Sequence, residues 1–132
     1  MGKCLIQTGK PGAGKTTFTK KRIEKWKGDK LIFDPNKEYG VEYMSMPNFL
    51  EEAKTRKNTI IVFEEATIFF KAQGVNPDIV ELLVKRRHDN NFYILNFHAL
   101  AQVPLYILAF ADYFNVFKTI DQQGQVERKF KG

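Results

Sequence analysis

A single cysteine, Cys4, among 132 residues rules out an internal disulfide framework and a cysteine-built metal centre. Flanked by Leu5 and Ile6, it reads as a small buried hydrophobe. Long apolar runs are also missing. The richest stretch, VPLYILAFADYFNVF, is interrupted by Asp112 and Asn115 and falls short of the roughly 18 residues of a membrane span. The amino terminus lacks the apolar segment of a secretory leader, so the expectation is a cytoplasmic protein with no membrane span. Internal repeats, low-complexity tracts and linkers are absent too, which predicts one domain over 1–132. Residues 120–132 are expected to form a hairpin around Gly124 or to trail as a tail.

What the chain does have is positive charge and alternating apolar segments. Lys and Arg number 21 against 15 Asp and Glu, a formal +6 that suits an anionic partner without identifying it. Apolar runs at 3–8, 30–34, 59–65, 91–97 and 112–119 predict strands. Between them, 15–28, 48–57, 76–90 and 103–111 read as helices. Asn48 and Glu51 have capping-box spacing, and Asn76 with Pro77 forms a second helix start. Thr19, Ile23 and Trp26 form the buried stripe of the first helix; Ile79, Val80, Leu83 and Val84 form that of the third. Strands that are apolar throughout and alternate with helices predict an α/β fold: a mostly parallel five-stranded sheet with helices on both faces. Ligands of such sheets bind at the carboxyl ends of the strands.

The stretch QTGKPGAGKTT lies at the first of those ends. Gly9, Gly14, Lys15 and Thr16 have the spacing G-x-x-x-x-G-K-[ST], after a predicted strand and opening a predicted helix. Residues 9–17 (Gly9, Lys10, Pro11, Gly12, Ala13, Gly14, Lys15, Thr16 and Thr17) are therefore expected to bind nucleotide. Backbone N–H groups would cradle phosphate oxygens at the positive end of a helix dipole. Lys15 would neutralise the β- and γ-phosphates of ATP, and the Thr16 hydroxyl would ligate Mg²⁺. This makes the domain a P-loop NTPase. KPGAGKTT also resembles the signature-lysine loop of ParA/MinD-type ATPases, with Lys10 as the second lysine, although Pro11 stands where that family has glycine.

IIVFEEA supplies two adjacent carboxylates after the third strand. The first, Glu64, is expected to hold the metal, although aspartate is commoner there. The second, Glu65, is expected to act as general base toward the attacking water. A second acid suits hydrolysis better than kinase chemistry.

In their order, IFDPNKEYG, VFEEA, KRRHDNNFYILNF and HALAQVPLYILAFADYFNVFKT resemble the HerA–FtsK superfamily of ring-forming P-loop ATPases. Within it they are similar to viral genome-packaging ATPases and to the zonula occludens toxin-like morphogenesis ATPases of filamentous phages. The resemblance implies an ATP-hydrolysing motor in a homo-oligomeric ring, pentamer or hexamer. Such a motor translocates DNA in genome packaging or virion morphogenesis, in the host cytoplasm or the virion, with a capsid or DNA-loading partner. It also implies an arginine finger at Arg86 or Arg87, reaching a neighbour's γ-phosphate. The sensor of the attacking water would be Asn96, His98 or Gln102; Asn96 is the catalytic candidate, and His98 also reads as a satisfied core residue. Asp34 and Glu38 would lie near the nucleotide, with DPN also readable as a turn. DNA contacts are open among Lys20, Lys21, Arg22, Lys25, Lys27, Lys71, the loop FKAQGVN and the tail ERKFKG. Two other functions stay open: a small P-loop nucleotide kinase, and a ParA/MinD-like nucleotide-gated partitioning module.

Overall fold

The computed structural model describes residues 2–70 and 76–117. The expectations for Lys71, most of the FKAQGVN loop and the 120–132 tail lie outside these residues. Five strands, β1 (Lys3–Gly9), β2 (Asp29–Phe33), β3 (Thr59–Phe63), β4 (Phe92–Phe97) and β5 (Tyr113–Phe117), form one sheet in the order β2-β3-β4-β1-β5. Every pairing is parallel. All five carboxyl ends therefore open at one edge of the sheet.

Side chains alternate across that sheet, and both faces are apolar, as period-2 patterning requires of a strand covered on both sides. Cys4, Ile6, Ile61, Phe63, Tyr93 and Leu95 face one core, which α2 (Met46–Thr55), α3 (Pro77–Val84) and α5 (Leu105–Leu108) cover. Leu5, Ile60, Val62, Phe92 and Ile94 face the other, covered by Ile23, Phe18 and Trp26 of α1 (Lys15–Lys25) and its exit. Phenylalanine does much of the filling on the thicker side. Phe33, Phe49, Phe63 and Phe69 meet at 4.9–6.2 Å between ring centroids, within the range of favourable tilted aromatic pairs.

Several boundaries differ from the sequence expectation for identifiable reasons. The second helix starts two residues early because Ser45, not Asn48, is its cap: the Asn48 N–H donates to Ser45 Oγ at 3.3 Å. Asn76 caps α3 as expected, accepting from the N–H groups of Asp78 and Ile79. The expected continuous helix over 76–90, however, breaks at Lys85 into α3 and a one-turn α4 (Arg86–Asp89). Within α3, Ile79, Leu82 and Leu83 are buried at the i, i+3, i+4 spacing of one helical face, while Val80 is only partly buried and Val84, expected on the stripe, is exposed. The expected 103–111 helix shortens to α5, which begins only after Pro104 at its N-cap and ends at Leu108; a 3₁₀ turn at Leu100–Gln102 precedes it.

Candidate active site

At the carboxyl edge, β1 ends at Gly9 and the chain turns through Gly12 (φ 84°) and Gly14 (φ 111°) before entering α1. Both angles lie in the left-handed region that side chains with a Cβ avoid, so glycine is required at the turn. The turn opens a cavity of ≈ 470 Å³ lined by Lys10, Pro11, Gly12, Gly14, Lys15, Thr16 and Thr17 on one side. Asn36, Glu38, Glu64, Glu65 and His98 line the other. Seven of the nine expected nucleotide-binding residues thus line one cavity. Gly9 and Ala13 shape its floor instead: Lys15 Nζ donates to the Gly9 carbonyl, and Ala13 N–H donates to the Lys10 carbonyl. Burial lowers the pKa of the Lys15 ammonium, an effect opposed by the charges of Glu64, Glu65 and Glu38.

The two carboxylates after β3 diverge. Glu64 is buried and its oxygens are fully engaged. Thr16 Oγ1 lies 3.0 Å from its Oε1, while the Tyr39 hydroxyl (2.5 Å) and Asn96 Nδ2 (2.9 Å) donate to its Oε2. Burial pushes the Glu64 pKa up, and the donors from Tyr39, Asn96 and Thr16 work against that rise. Burial also raises the Tyr39 phenol, as does its bond to Glu64, which keeps it a donor. Glu65 instead turns toward the cavity. Its Oε1 meets Asn36 Nδ2 at 3.1 Å and His98 Nε2 at 2.9 Å.

These placements sort the sensor candidates. His98 lines the cavity and contacts Glu65, so it is not the satisfied core histidine that a lone histidine suggests. Asn96 is buried behind Glu64, out of the cavity, and holds that carboxylate rather than facing the space for an attacking water. Gln102 is further removed, its Oε1 accepting from the Ala99 N–H. Asp34 builds the loop that carries Glu38 and Tyr39, accepting from their N–H groups at 2.9 and 2.8 Å.

Gln7 was not anticipated. It donates from Nε2 to Asn96 Oδ1 (2.7 Å) and Thr19 Oγ1 (2.9 Å), and Asn115 Nδ2 approaches its Oε1 at 3.4 Å. Gln7, Asn96 and Asn115 are register partners on three adjacent strands. The sequence signal was a polar residue near the carboxyl end of each of these otherwise apolar strands.

The donor set fits a hard divalent cation. Thr16 and Glu64 offer oxygen, and Glu38 Oε2 lies 3.2 Å from the same hydroxyl. Among the described residues no group of three or more His, Cys, Asp or Glu converges into a complete cage. Mg²⁺ bound together with substrate phosphates needs only one or two carboxylates.

The two arginines lie at the opposite edge of the sheet. Arg86 Nε donates to Asp112 Oδ2 at 3.0 Å and its Nη1 to the Leu83 carbonyl, leaving the side chain 11% exposed. It is an internal tie between α4, α3 and Asp112. Arg87 pairs with Asp112 Oδ1 at 3.1 Å but is 60% exposed. Asp112 also accepts from the Cys4 N–H at 2.8 Å. Partial burial would raise the Asp112 pKa, but these donors and the arginine charges outweigh it and hold the carboxyl below its usual range. β1 runs six residue steps between the two edges, roughly 20 Å at about 3.3 Å per step. Neither arginine can serve the cavity of its own chain.

No family model matches the chain, and no curated protein matches it by sequence. Solved structures do. The genome-packaging NTPase B204 from Sulfolobus turreted icosahedral virus 2, in complex with ATP-gammaS, aligns over 96% of this chain and 80% of that one, with a TM-score of 0.77 and 20% identity. The chain has the P-loop NTPase fold. B204 of Sulfolobus turreted icosahedral virus, described as a DNA-packaging ATPase, gives 0.74 at 17% identity over 96% and 81%. PCH-2 of C. elegans gives 0.56 at 15% identity, over 88% of this chain and 34% of that one. Among the described residues no helix is long and apolar enough to cross a membrane.

Proposed function

We propose that the chain is an ATP-hydrolysing motor subunit that acts in a homo-oligomeric ring, pentamer or hexamer, and moves DNA. The most specific form of this reading is genome packaging or virion morphogenesis, with a capsid or DNA-loading partner. The observation that carries it is the division of one hydrolytic apparatus between two edges of the sheet. Lys15, Thr16, Glu64 and Glu65 surround a cavity at one edge, and Arg87 is displayed at the other. The solved P-loop NTPases of matching fold, B204 with ATP-gammaS and with AMPPCP, support the choice of substrate and of packaging.

In this mechanism the loop N–H groups and Lys15 receive the ATP phosphates, Lys15 leaving the Gly9 carbonyl to do so. Thr16 and Glu64 would hold Mg²⁺, which when bound neutralises charge on the β- and γ-oxygens. Asn96 and Tyr39 fix Glu64, so the metal-holding carboxylate stays in one rotamer. Glu65 orients the attacking water and takes its proton as the new O–P bond forms and the bond to the β–γ bridging oxygen breaks, giving ADP and phosphate. His98 and Asn36 hold Glu65 Oε1 and leave Oε2 for the water. Arg87 of a neighbouring subunit would stabilise charge on the transferred group, a task for a planar guanidinium that is always protonated.

The test is ATP turnover over a series of protein concentrations, with and without single- and double-stranded DNA, beside Glu65→Gln. Turnover per chain should rise with concentration and with DNA, and Glu65→Gln should lower it by about 10²–10⁴-fold. Turnover that ignores both concentration and DNA would contradict a DNA motor.

A further inference from the structure

The charged side chains outside the cavity divide between the two faces of the sheet. On the face covered by α2, α3 and α4, Lys54, Arg56, Lys57, Lys85, Arg86 and Arg87 each have a carboxylate within 4 Å. On the other face, α1, its exit and the start of β2 carry Lys20, Lys21, Arg22, Lys25, Lys27 and Lys30. None of these six is in an ion pair among the described residues, and Glu24 and Asp29 are the only acids interspersed with them. The five lysines are exposed.

Helix-dipole complementation explains Arg22 and Lys25 in the last turn. It does not explain Lys21, a turn earlier, or Lys27 and Lys30, beyond the helix. Solubility alone would not select one sign on one face while the opposite face is neutralised residue by residue. Arg22 is also held in place. Its guanidinium lies 5.6 Å from the Phe18 ring and 5.4 Å from the Phe92 ring, at the rim of a groove of ≈ 170 Å³ that it shares with Lys25, Trp26, Ile60 and Phe92. Parking the guanidinium over two rings reduces the side-chain entropy that an incoming anion would otherwise have to remove.

We infer that the outer face of α1 and its exit binds a nucleic-acid backbone, with Lys21, Lys25 and Lys27 as phosphate contacts and Arg22 as a pre-set one. This rests on the motor reading and deepens it by naming the surface that meets DNA. It also gives that surface a connection to hydrolysis. The first turn of α1 carries Lys15 and Thr16, and its last turn carries the groove, about 16 Å away along eleven residues. A pull on the strand would act on the same helix that holds the phosphates.

The chain's one tryptophan, Trp26, lines this groove and reports on it. The experiment titrates the full chain with fluorophore-labelled single- and double-stranded DNA of mixed sequence. Anisotropy and Trp26 emission are read across a salt series, for wild type, Lys21→Gln/Lys25→Gln/Lys27→Gln, and the control Lys57→Gln/Lys85→Gln. The expected result is DNA binding that perturbs Trp26. The triple variant should lower affinity at least tenfold and make the log–log salt slope shallower by about 2–3, at about 0.7–0.9 per lost phosphate contact. The control should bind as wild type, and basal turnover without DNA should be unchanged in both variants. DNA binding with wild-type slope in the triple variant, or with Trp26 unperturbed, would overturn this surface and leave the motor reading standing. Failure of wild type to bind either DNA would overturn both. Polyglutamate binding as tightly as DNA at equal ionic strength would reassign the surface to an acidic protein.

Discussion

The two edges of the parallel sheet carry the same kinds of group and use them in opposite ways. At the carboxyl edge, Lys15, Thr16, Glu38, Glu64 and Glu65 line an open cavity, and the Thr16 hydroxyl bonds to Glu38 and Glu64 across it. Those bonds are stand-ins: the Lys15 ammonium rests on a backbone carbonyl and the Thr16 hydroxyl on carboxylates, partners that phosphate and metal would replace. At the amino edge, Arg86, Asp112 and the Cys4 N–H close on one another, joining α4, β1 and the residue that leads into β5. Arg87 is the exception there, anchored at one nitrogen and mostly in solvent. One edge is arranged for exchange and the other for rigidity, with a single side chain held out from the rigid part. A P-loop NTPase that completes its site across a subunit boundary needs that combination. A finger is useful only if the element carrying it does not yield.

The neighbouring arginines offer the sharpest way to break the comparison. Arg87→Ala should lower turnover by about 10³-fold, the low end for losing an arginine finger, while changing stability by less than about 0.5 kcal/mol, as an exposed ion pair allows. Arg86→Ala should do the reverse in kind, costing about 3 kcal/mol by stranding Asp112 without its buried partner. The sign with pH follows from Asp112. Its depressed folded pKa means the clamp's contribution is fully present above the ordinary aspartate value near 3.9 and is lost as pH falls through the lower folded value. Asp112→Asn should therefore flatten the acid limb of the stability curve. Chemical denaturation between pH 2 and 7, beside steady-state turnover, checks both arginines. Equal stability loss in the two variants would erase the distinction drawn between them.

A smaller effect tests the carboxyl edge from behind. Gln7→Leu removes the donor that orients the Asn96 amide, leaving Asn96 Oδ1 without its 2.7 Å partner at a cost of about 1–3 kcal/mol. With Glu64 less firmly held, the Mg²⁺ concentration for half-maximal turnover should rise several-fold, more than nucleotide affinity in the absence of metal falls. Titrating Mg²⁺ at saturating ATP reads this. A loss of stability with an unchanged Mg²⁺ requirement would make Gln7 a packing residue and nothing more.

Much of this was legible in the sequence because it is local. The phosphate loop is a run of eight residues between a strand and a helix, and the Glu64–Glu65 pair follows an apolar run directly, so spacing alone places both. The strands were readable because each is buried on both faces and therefore apolar throughout. What was not legible is tertiary. Gln7 and Asn96 are 89 positions apart, Tyr39 and Glu64 are 25, and Arg86 and Asp112 are 26. Two adjacent arginines look alike until the break at Lys85 turns one inward, and no glycine or proline marks that break. Asn96 likewise has the residue type of a water sensor; only the folded contacts show that it donates to the Glu64 carboxylate while His98, past the end of β4, lines the cavity. The helix expected over 103–111 begins only after Pro104, which sits inside an apolar run that otherwise reads as continuous helix.

In the proposed ring the amino edge of one subunit completes the carboxyl edge of the next. The most direct test mixes Glu65→Gln and Arg87→Ala, each inactive alone, at constant total protein and saturating ATP. Each junction takes its Glu65 from one subunit and its Arg87 from the next, so in an equal random mixture about a quarter of junctions combine a wild-type Glu65 with a wild-type Arg87. Turnover should appear on mixing, peak near equal proportions and vanish on dilution below ring assembly. Turnover that stays at the sum of the separate variants at every ratio, with assembled rings confirmed by sedimentation, would contradict a site shared between subunits.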